Sequence, residues 1–270
     1  MKLTKLTKRI GPSDRFVPPW RWAVAGVVLG WMFSMMVFAP ARWLTFWVDR
    51  ASLGQVLLQA PQGTLWAGSA RVTLTGGRGS LDTSTLPGRL TWDVSPEWTG
   101  VRVQWRADCC MQSMAGLTLS PRWGGWQMVL SDSQSQWPAL WLGGLGTPWN
   151  TIQAQGHLNL TTQGMVFRGS AGRMQVFGQA QLDALDISSH LSTLHPMGSY
   201  RISLTGGNTP GLVLTTLKGS LQLSGKGQWV GGKLRFNGEA SAVPEHRAAL
   251  DNLLNIIGRR NGDRSIIQVG

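Results

Sequence analysis

Hydrophobic and polar residues alternate with a period of two along most of the chain after Leu53. In residues 101–107, every odd position is apolar and every even position is polar. This period predicts β-strands with one buried face and one solvated face. The same pattern recurs at 90–94, 126–130, 154–160, 174–182, 200–204 and 234–240. Because the connections are short, we expect about ten to thirteen strands, mostly antiparallel.

Glycines mark the predicted turns. Gly-Gly pairs at 76–77, 124–125, 206–207 and 231–232 separate alternating segments, and glycine adopts without strain the positive φ that two-residue hairpin turns need. A motif of the form G-x-L-x-(L or W) begins at Gly88, Gly156 and Gly219. This repetition fits repeated hairpins in one extended, curved sheet, and it fits any glycine-rich meander equally well.

Two segments favour short helices. Residues 244–258 place four apolar side chains on one helical stripe, with Pro244 at the start and Gly258 after the end; these side chains are Leu250, Leu253, Leu254 and Ile257. Residues 137–149 have Pro138 at a suitable first helical position and glycines that end the helix early. The fold class predicted is therefore mainly β, with one or two short helices.

An uncharged apolar segment at residues 22–39 precedes the alternating region. With Pro40 and Ala41 it reaches the length of about 20 residues that a transmembrane helix needs. Tryptophans flank it, as they do at membrane interfaces, and six basic residues against one acid precede it. The positive-inside rule then places the N-terminus in the cytoplasm. We expect a basic cytoplasmic tail at 1–21, a transmembrane helix at 22–41, a juxtamembrane linker at 42–52 and a β-rich domain across the membrane at 53–270.

A cleaved signal peptide is the alternative interpretation of this segment. Ala39-Pro40-Ala41 resembles a small-residue cleavage site. The apolar run, however, exceeds the usual signal core of about 7 to 15 residues, and proline between the alanines disfavours cleavage. The sequence therefore favours an uncleaved anchor, with Trp22, Leu29 and Phe38 in the span.

The basic composition does not indicate a nucleic-acid partner. The formal net charge is +12, but the N-terminal tail carries much of it and the remaining cations are spread thinly. Nucleic-acid surfaces usually cluster their cations on one face. We therefore expect no nucleic acid among the partners.

The two cysteines, Cys109 and Cys110, are neighbours. Two cysteines are too few for a disulfide framework or a four-thiolate metal site. Neighbouring residues on a strand point to opposite faces, so a vicinal disulfide would need a distorted turn. We expect two free, partly buried thiols near the end of a strand.

No pattern of catalytic residues stands out. His190 and His195 share a loop without a carboxylate at ligand spacing, and neither a Gly-x-Ser-x-Gly elbow nor a phosphate loop occurs. We expect no catalytic, cofactor or metal site, and no enzymatic activity. An enzyme whose catalytic groups converge from distant strands is the alternative.

Four segments together carry a resemblance to a known family. They are "GTLWAGSARV" (63–72), residues 116–160 from "GLTLSPRWGGW" to "GHLNL", "ISSHLSTLHPMGSYRISL" (187–204) and "NLLNIIGRRNGDRSIIQVG" (252–270). In this order, after a basic N-terminus and one apolar span, they resemble the type II secretion system protein N family. The family-signature positions within these segments are Gly63, Leu65, Trp66, Gly68, Trp126, Trp137, Trp141, Trp149, Gly258, Arg259 and Arg260.

The resemblance implies a location and a role. It implies a minor, single-pass component of the Gram-negative inner membrane, with its C-terminal domain in the periplasm. The machinery to which this family belongs exports folded proteins from that compartment. Its implied partners are other secretion subunits and the inner membrane, and no catalytic residues carry over from it.

Three functional hypotheses follow. The first is a non-catalytic assembly or interaction subunit that offers sheet edges and tryptophan-bearing faces to partner proteins. The second is a β-groove that holds lipid or another apolar ligand, as in AsmA-like proteins. The third is an outer-membrane β-barrel behind a signal peptide, against which the long N-terminal span and the C-terminal Gly270 argue.

The segment "QGTLWAGSARV" at 62–72 encloses a large aromatic residue between glycines. By alternation, Trp66 shares a face with Gly68, Ala70 and Val72. Glycine inside a strand pattern often marks a bend or a close approach. We therefore predict that Trp66 is largely buried, over Gly68 and its neighbours or over a bend at that glycine, and that it marks the first corner of the sheet.

Overall fold

The computed structural model describes residues 20–170, 173–230 and 233–270, and the chain divides after Ala39 into two units. In the first unit, helix α1 comprises Trp20–Val37. Among the described residues, this is the helix that is long and apolar enough to cross a membrane. It ends at Val37 rather than at residue 41, because a proline at position 40 disfavours helical backbone before it. Most of the predicted cytoplasmic tail, residues 1–19, lies outside the described residues.

The second unit begins with helix α2, Arg42–Ala51, where the sequence predicted a juxtamembrane linker. Sixteen strands follow in the described residues. They are β1 (Val56–Gly63), β2 (Ala67–Thr75), β3 (Thr83–Thr85), β4 (Leu90–Glu97), β5 (Gly100–Ala107), β6 (Ala115–Arg122), β7 (Gly125–Leu130), β8 (Ser133–Pro138), β9 (Gln155–Ser170), β10 (Arg173–Ser188), β11 (Gly198–Gly207), β12 (Gly211–Gly219), β13 (Leu221–Val230), β14 (Lys233–Ala242), β15 (Arg259–Asn261) and β16 (Arg264–Val269).

All sixteen strands belong to one sheet, which confirms the predicted mainly β class. Its order is β1-β2-β4-β5-β6-β7-β9-β10-β11-β12-β13-β14-β16-β15, while β3 pairs with β2 and β8 pairs with β9. Every pairing between these described strands is antiparallel. The expected number of strands was too low, since strands of three residues such as β3 and β15 are too short to show alternation.

Cross-strand register gives the sheet one continuous apolar face. Residues that pair directly lie on the same face, and the pairs Trp92–Trp105, Leu119–Met128 and Leu182–Ile202 place apolar side chains together. The opposite face is polar, as the pair Asp183–Arg201 illustrates. The alternation seen in the sequence thus corresponds to the two faces of this sheet.

Short helices cover part of the apolar face. A 3₁₀ helix spans Ala139–Leu145 and α3 spans Trp149–Ile152. Pro138 ends β8 instead of starting a helix, so the helix predicted at 137–149 is two shorter pieces. Near the C-terminus, a 3₁₀ turn at Pro244–His246 leads into α4, Arg247–Ile257. The predicted stripe is confirmed there, because Leu250, Leu253 and Leu254 are buried.

Two buried clusters lie under these coverings. The N-terminal core contains Val72, Leu86, Ala107, Cys110, Met111 and Ala115. The C-terminal core contains Ala139, Ala154, Leu158, Ile187, Met197, Tyr200, Leu221, Ala240, Leu250, Leu253 and Leu254. The indole of Trp137 packs against both clusters and so connects the two halves of the sheet.

One of the predicted glycine hairpins is a two-residue turn. Arg122 pairs with Gly125, and Gly124 has a φ of +75° in the turn between them. The glycines at 76–77 follow β2, and those at 206–207 end β11, so both belong to longer connections. The pair at 231–232 lies outside the described residues, between the paired ends of β13 and β14.

Candidate interaction surface

The first corner of the sheet is a tight turn between β1 and β2. Gly63 has a φ of +84°, a backbone conformation that residues other than glycine rarely adopt. The backbone N–H of Thr64 donates to the carbonyl of Ala67 at 2.8 Å, and the N–H of Ala67 donates to the Thr64 hydroxyl at 3.0 Å. Leu65 and Trp66 are half-buried within this turn.

The indole that covers Gly68 is Trp92, so the predicted placement of Trp66 over Gly68 is wrong. A Cβ atom on Gly68 would lie 2.6 Å from the Trp92 ring, and Trp92 is only 6% exposed. Its Nε1 donates to the carbonyls of Leu65 at 3.2 Å and Thr64 at 3.3 Å. Trp66 precedes the start of β2, so strand alternation does not apply to it. Within β2, the shared apolar face is confirmed by the burial of Ala70 and Val72.

Cys109 and Cys110 form a vicinal disulfide, which corrects the expectation of two free thiols. Their Cα atoms are 3.7 Å apart, in the turn between β5 and β6. The backbone N–H groups of Cys110 and Met111 both donate to the carbonyl of Ala107, at 3.1 and 3.0 Å. Because the pair lies in a turn, the strand geometry that would separate the two side chains is absent. Cys110 is buried in the N-terminal core, whereas Cys109 is exposed.

Trp137 and Trp141 are stacked, with ring centroids 5.4 Å apart and planes 17° from parallel. The Trp137 Nε1 donates to the Ser135 hydroxyl at 2.8 Å, which fixes its ring on β8. Trp141 belongs to the covering 3₁₀ helix and packs against the N-terminal core. The third tryptophan of this segment, Trp149, lies apart from the stack, in α3, and is exposed.

Gly258, Arg259 and Arg260 connect α4 to the last hairpin. A Cβ atom on Gly258 would lie 2.6 Å from the carbonyl oxygen of Ile266, so the chain passes close to β16 there. The Arg260 guanidinium donates to Asp251 on α4 at 2.7 Å and to the carbonyl of Gly262 at 2.6 Å. The neighbouring Arg259 is exposed on β15. These contacts therefore hold α4 against the sheet.

Part of the apolar face remains uncovered, where β6, β7, β9 and β10 are paired side by side. The exposed fractions of Trp126 and Met174 are 39% and 62%, and both residues pair with Gly169, one from each side. The Trp126 ring lies against Gly169, which has no side chain to displace it. We call this surface the distal apolar patch; it consists of Leu119, Trp126, Met128, Phe167 and Met174.

The two ends of the sheet are poor templates for a further strand. The edge strand β1 carries a register shift between Gln59 and Gln62, and Pro61 lies within it. At the other end, β15 has only three residues. Bulges, prolines and very short strands are the means by which proteins block edge pairing. The distal apolar patch is therefore a better docking surface than the sheet edges.

The polar face carries ion pairs. The Arg201 guanidinium donates to both carboxylate oxygens of Asp183, at 2.7 and 2.8 Å. This hydrogen bonding lowers the pKa of the Asp183 carboxyl and raises the pKa of Arg201. On the apolar face, burial raises the pKa of the Tyr200 hydroxyl. None of these shifts brings a titration near neutral pH, where acid–base catalysis would need it.

Two of the four histidines form hydrogen bonds with polar side chains from other parts of the chain. The Nε2 of His190 is 3.1 Å from the side-chain nitrogen of Gln155, and the Nδ1 of His246 is 2.7 Å from the Ser220 hydroxyl. Across the described part of the chain, no group of three or more His, Cys, Asp or Glu residues could hold a metal ion.

The signature residues form three local groups and do not converge on one site. They mark the first corner, the tryptophan stack between the cores, and the junction of α4 with the last hairpin. Trp149 lies apart from these groups in α3, and Trp126 alone belongs to the distal apolar patch. Of the positions expected in the span, Trp22 and Leu29 are exposed on α1, and Phe38, also exposed, follows its end.

The sequence did not reveal two features of the N-terminal end of the sheet domain. The first is Trp92, whose partnership with Gly68 depends on a pairing between β2 and β4. The second is α2, which carries Trp43, Phe46 and Trp47 on its exposed side. Their spacing of three and four residues was a detectable helical signal.

Fold and surface together define the class of protein. It is mostly β, with an apolar helix that precedes a long antiparallel sheet in the described residues, and part of the apolar face of this sheet is uncovered. A family model, type II secretion system (T2SS), protein N, matches residues 54–267. Because this match covers most of the chain, the chain belongs to the type II secretion system protein N family and is a component of that system. The resemblance drawn from the sequence is thereby confirmed. Neither a curated protein nor a solved structure matches the chain.

Proposed function

We propose that this protein is a single-pass subunit of the inner membrane that serves secretion through protein contacts made by its periplasmic sheet, without catalysis. The observation that carries the proposal is the family match over residues 54–267, since this family consists of secretion-system subunits. The distal apolar patch supplies the surface for such contacts, because exposed contiguous apolar side chains mark interaction sites.

Two features support a periplasmic location for the sheet. Basic residues precede α1 and acids are scarce there, the charge pattern of a cytoplasmic N-terminus. The Cys109–Cys110 disulfide lies in the sheet domain, and disulfides persist in oxidising compartments such as the periplasm. A cytoplasmic domain would be kept reduced.

The topology is tested with a cysteine placed at Leu81, whose side chain is 97% exposed. In Leu81→Cys cells, a membrane-impermeant thiol reagent should label the protein in intact spheroplasts. The same reagent should leave the parent chain unlabelled, because its two cysteines are bonded to each other. Labelling only after lysis would place the domain in the cytoplasm and contradict the proposal.

The docking surface is tested by crosslinking in a native host. A photoreactive residue at Met174, in the distal apolar patch, should capture other type II secretion subunits. Gln175 is the matched control, because it is also exposed and neighbours Met174 but points to the opposite, polar face. Equal capture from both positions would contradict a role for the patch. Unchanged export and complex assembly after deletion of the gene would contradict the proposed function as a whole.

A second candidate function is the binding of lipid or another apolar ligand by the sheet. The observation that favours it is the extent of the apolar face beyond the patch, where Leu204 pairs with Leu212 and Gly227 pairs with Phe236. Crosslinking to lipid, and not to protein, from Met174 would support this candidate. Native mass spectrometry that finds no lipid on the purified protein would argue against it.

A further inference from the structure

We propose that α2 lies in the surface of the bilayer that α1 crosses, with Trp43, Phe46 and Trp47 at the boundary between headgroups and acyl chains. This contact would fix the sheet domain against the membrane in one orientation. The inference rests on the proposed function, because it requires α1 to be a membrane anchor.

The helix α2 has an inner face that packs on the sheet and an outer face on which three aromatic side chains lie together with Arg42 and Arg50. Its inner face packs Leu44 against the cluster of Ala41, Ala70 and Trp92. Its outer face carries the three aromatic side chains, which are 42%, 58% and 65% exposed in chain order from Trp43. The outward face of a surface helix in water is normally polar. This helix therefore presents an aromatic stripe that the second unit itself leaves uncovered.

Both ends of α2 are tied to β1, so the direction of the stripe on the domain is fixed. Before the helix, the N–H of Ala41 donates to the carbonyl of Gly63 at 3.2 Å. After it, the N–H of Val56 donates to the Ser52 hydroxyl at 3.0 Å. A surface that holds the stripe would consequently hold the whole sheet.

The short connection to α1 identifies lipid as the occupant. Only residues 38–41 separate the end of α1 from the start of α2. Four extended residues span at most about 14 Å, while the headgroup layers add about 5 to 8 Å to each side of the hydrocarbon core. If α1 crosses a bilayer, α2 therefore begins in or beside the headgroup layer.

The side chains of α2 match that layer. Tryptophan is enriched at membrane interfaces, and helices with one aromatic face lie in the interfacial plane. Exposed Arg42 and Arg50, near the two ends of the helix, are long enough to extend toward lipid phosphates. The combination fits a phospholipid surface of mixed zwitterionic and anionic headgroups.

The test places nitroxide spin labels in the full chain, reconstituted in vesicles of phosphatidylethanolamine and phosphatidylglycerol. Leu29→Cys reports on α1, Phe46→Cys on the aromatic stripe, and Trp123→Cys on an exposed indole position at a hairpin tip. Labelling is done without reductant, so that the native cysteines stay bonded. Depth is measured from the relative accessibility of each label to oxygen and to a water-soluble nickel complex. We expect lipid contact at residue 29, shallow lipid contact at residue 46 and water contact at residue 123.

The outcomes separate the inference from the proposed function. Lipid contact at residue 29 with water contact at residue 46 overturns the docking of α2 and leaves the anchor intact; a protein partner would then be the occupant of the stripe. Water contact at residue 29 overturns the anchor, and the inference with it.

A second label keeps all three aromatic rings in place. In Arg50→Cys, the label should be at headgroup depth. It should lose this contact when Trp43, Phe46 and Trp47 are replaced together by serine, a change of exposed side chains that leaves the Leu44 packing intact. Unaltered depth in that combined variant would overturn the inference.

Discussion

At the first corner of the sheet, the indole of Trp92 stabilises a turn that belongs to another part of the chain. Its ring fills the space above Gly68, and its Nε1 donates to two carbonyls of the turn. Trp92 therefore combines apolar burial with hydrogen bonds to two backbone carbonyls of the turn. Trp66, which belongs to the same turn, is only half-buried.

The difference between the two tryptophans gives a prediction. Trp92→Ala should lower the free energy of unfolding by about 3 to 5 kcal/mol, the cost of removing a buried indole. Trp66→Ala, the matched control, should cost clearly less because more of its ring is already in water. Urea titrations followed by far-UV circular dichroism, in the same detergent, measure both. Equal losses would show that the exposed fraction does not determine the contribution of these rings.

The vicinal disulfide is expected to contribute little to stability. It closes a loop of only two residues, so it removes little entropy from the unfolded chain, and reduction should lower the free energy of unfolding by about 1 kcal/mol. The measurement compares urea titrations with and without reductant. The Cys109→Ala/Cys110→Ala variant is the control and should not respond to reductant. A loss several times larger would mean that the bond holds the packing of the N-terminal core.

On the element scale, the pair Asp183–Arg201 connects β10 and β11 across the polar face. Because Arg201 lowers the pKa of Asp183 below its ordinary value of 3.8, the folded state favours the charged carboxylate. This contribution to stability is fully present above pH 3.8. It is lost as the pH falls through the lowered pKa of the folded state.

We therefore expect Asp183→Asn to destabilise the protein at pH 7. Its difference from the parent in free energy of unfolding should shrink as the pH falls below 3.8. Urea titrations at pH 7 and at successively lower pH provide the measurement. In an Arg201→Gln background the same substitution should have little effect at any pH. A difference that persists in acid would assign it to packing rather than to charge.

The elements that the sequence predicted are those with a regular period. The alternation at residues 101–107 and the stripe of α4 each describe a local geometry, which the chain imposes without reference to distant residues. Trp92 over Gly68 and the disulfide turn escaped prediction for the opposite reason. The first depends on the register between two strands that are distant in sequence. The second is local, but the turn that the N–H groups of Cys110 and Met111 form with Ala107 has no periodic pattern to reveal it.

For the site, the sequence predicted residues but not their arrangement. Most signature positions occur where the sheet turns, where the N-terminal and C-terminal cores meet and where α4 is attached. Trp149 lies in α3, and only Trp126 lies on the open patch. Met174 and Phe167 complete that patch through the pairing of β9 with β7 and β10. Such proximity between strands cannot be obtained from one-dimensional alternation.

On the scale of the whole molecule, one long sheet supports the N-terminal core, the C-terminal core and the smaller cluster of Ala41, Ala70 and Trp92, so its cooperativity depends on what joins them. Trp137 is in contact with both cores and stacks on Trp141. Stacked aromatic pairs contribute about 0.5 to 1.5 kcal/mol beyond their burial. The β-ladder between β7 and β9 also continues across the boundary. We infer that the tryptophan stack couples the two halves.

Trp137→Ala should therefore uncouple the two halves as well as destabilise the chain. Hydrogen exchange followed by mass spectrometry should then show the amides of β4–β6 and those of β11–β14 opening with different free energies, whereas in the parent they open together. Trp126→Ala is the matched control, because it removes an indole from the same sheet without touching either core. If both halves of the Trp137→Ala variant still exchange together, the ladder through β9 is sufficient for cooperativity, and the stack only adds stability.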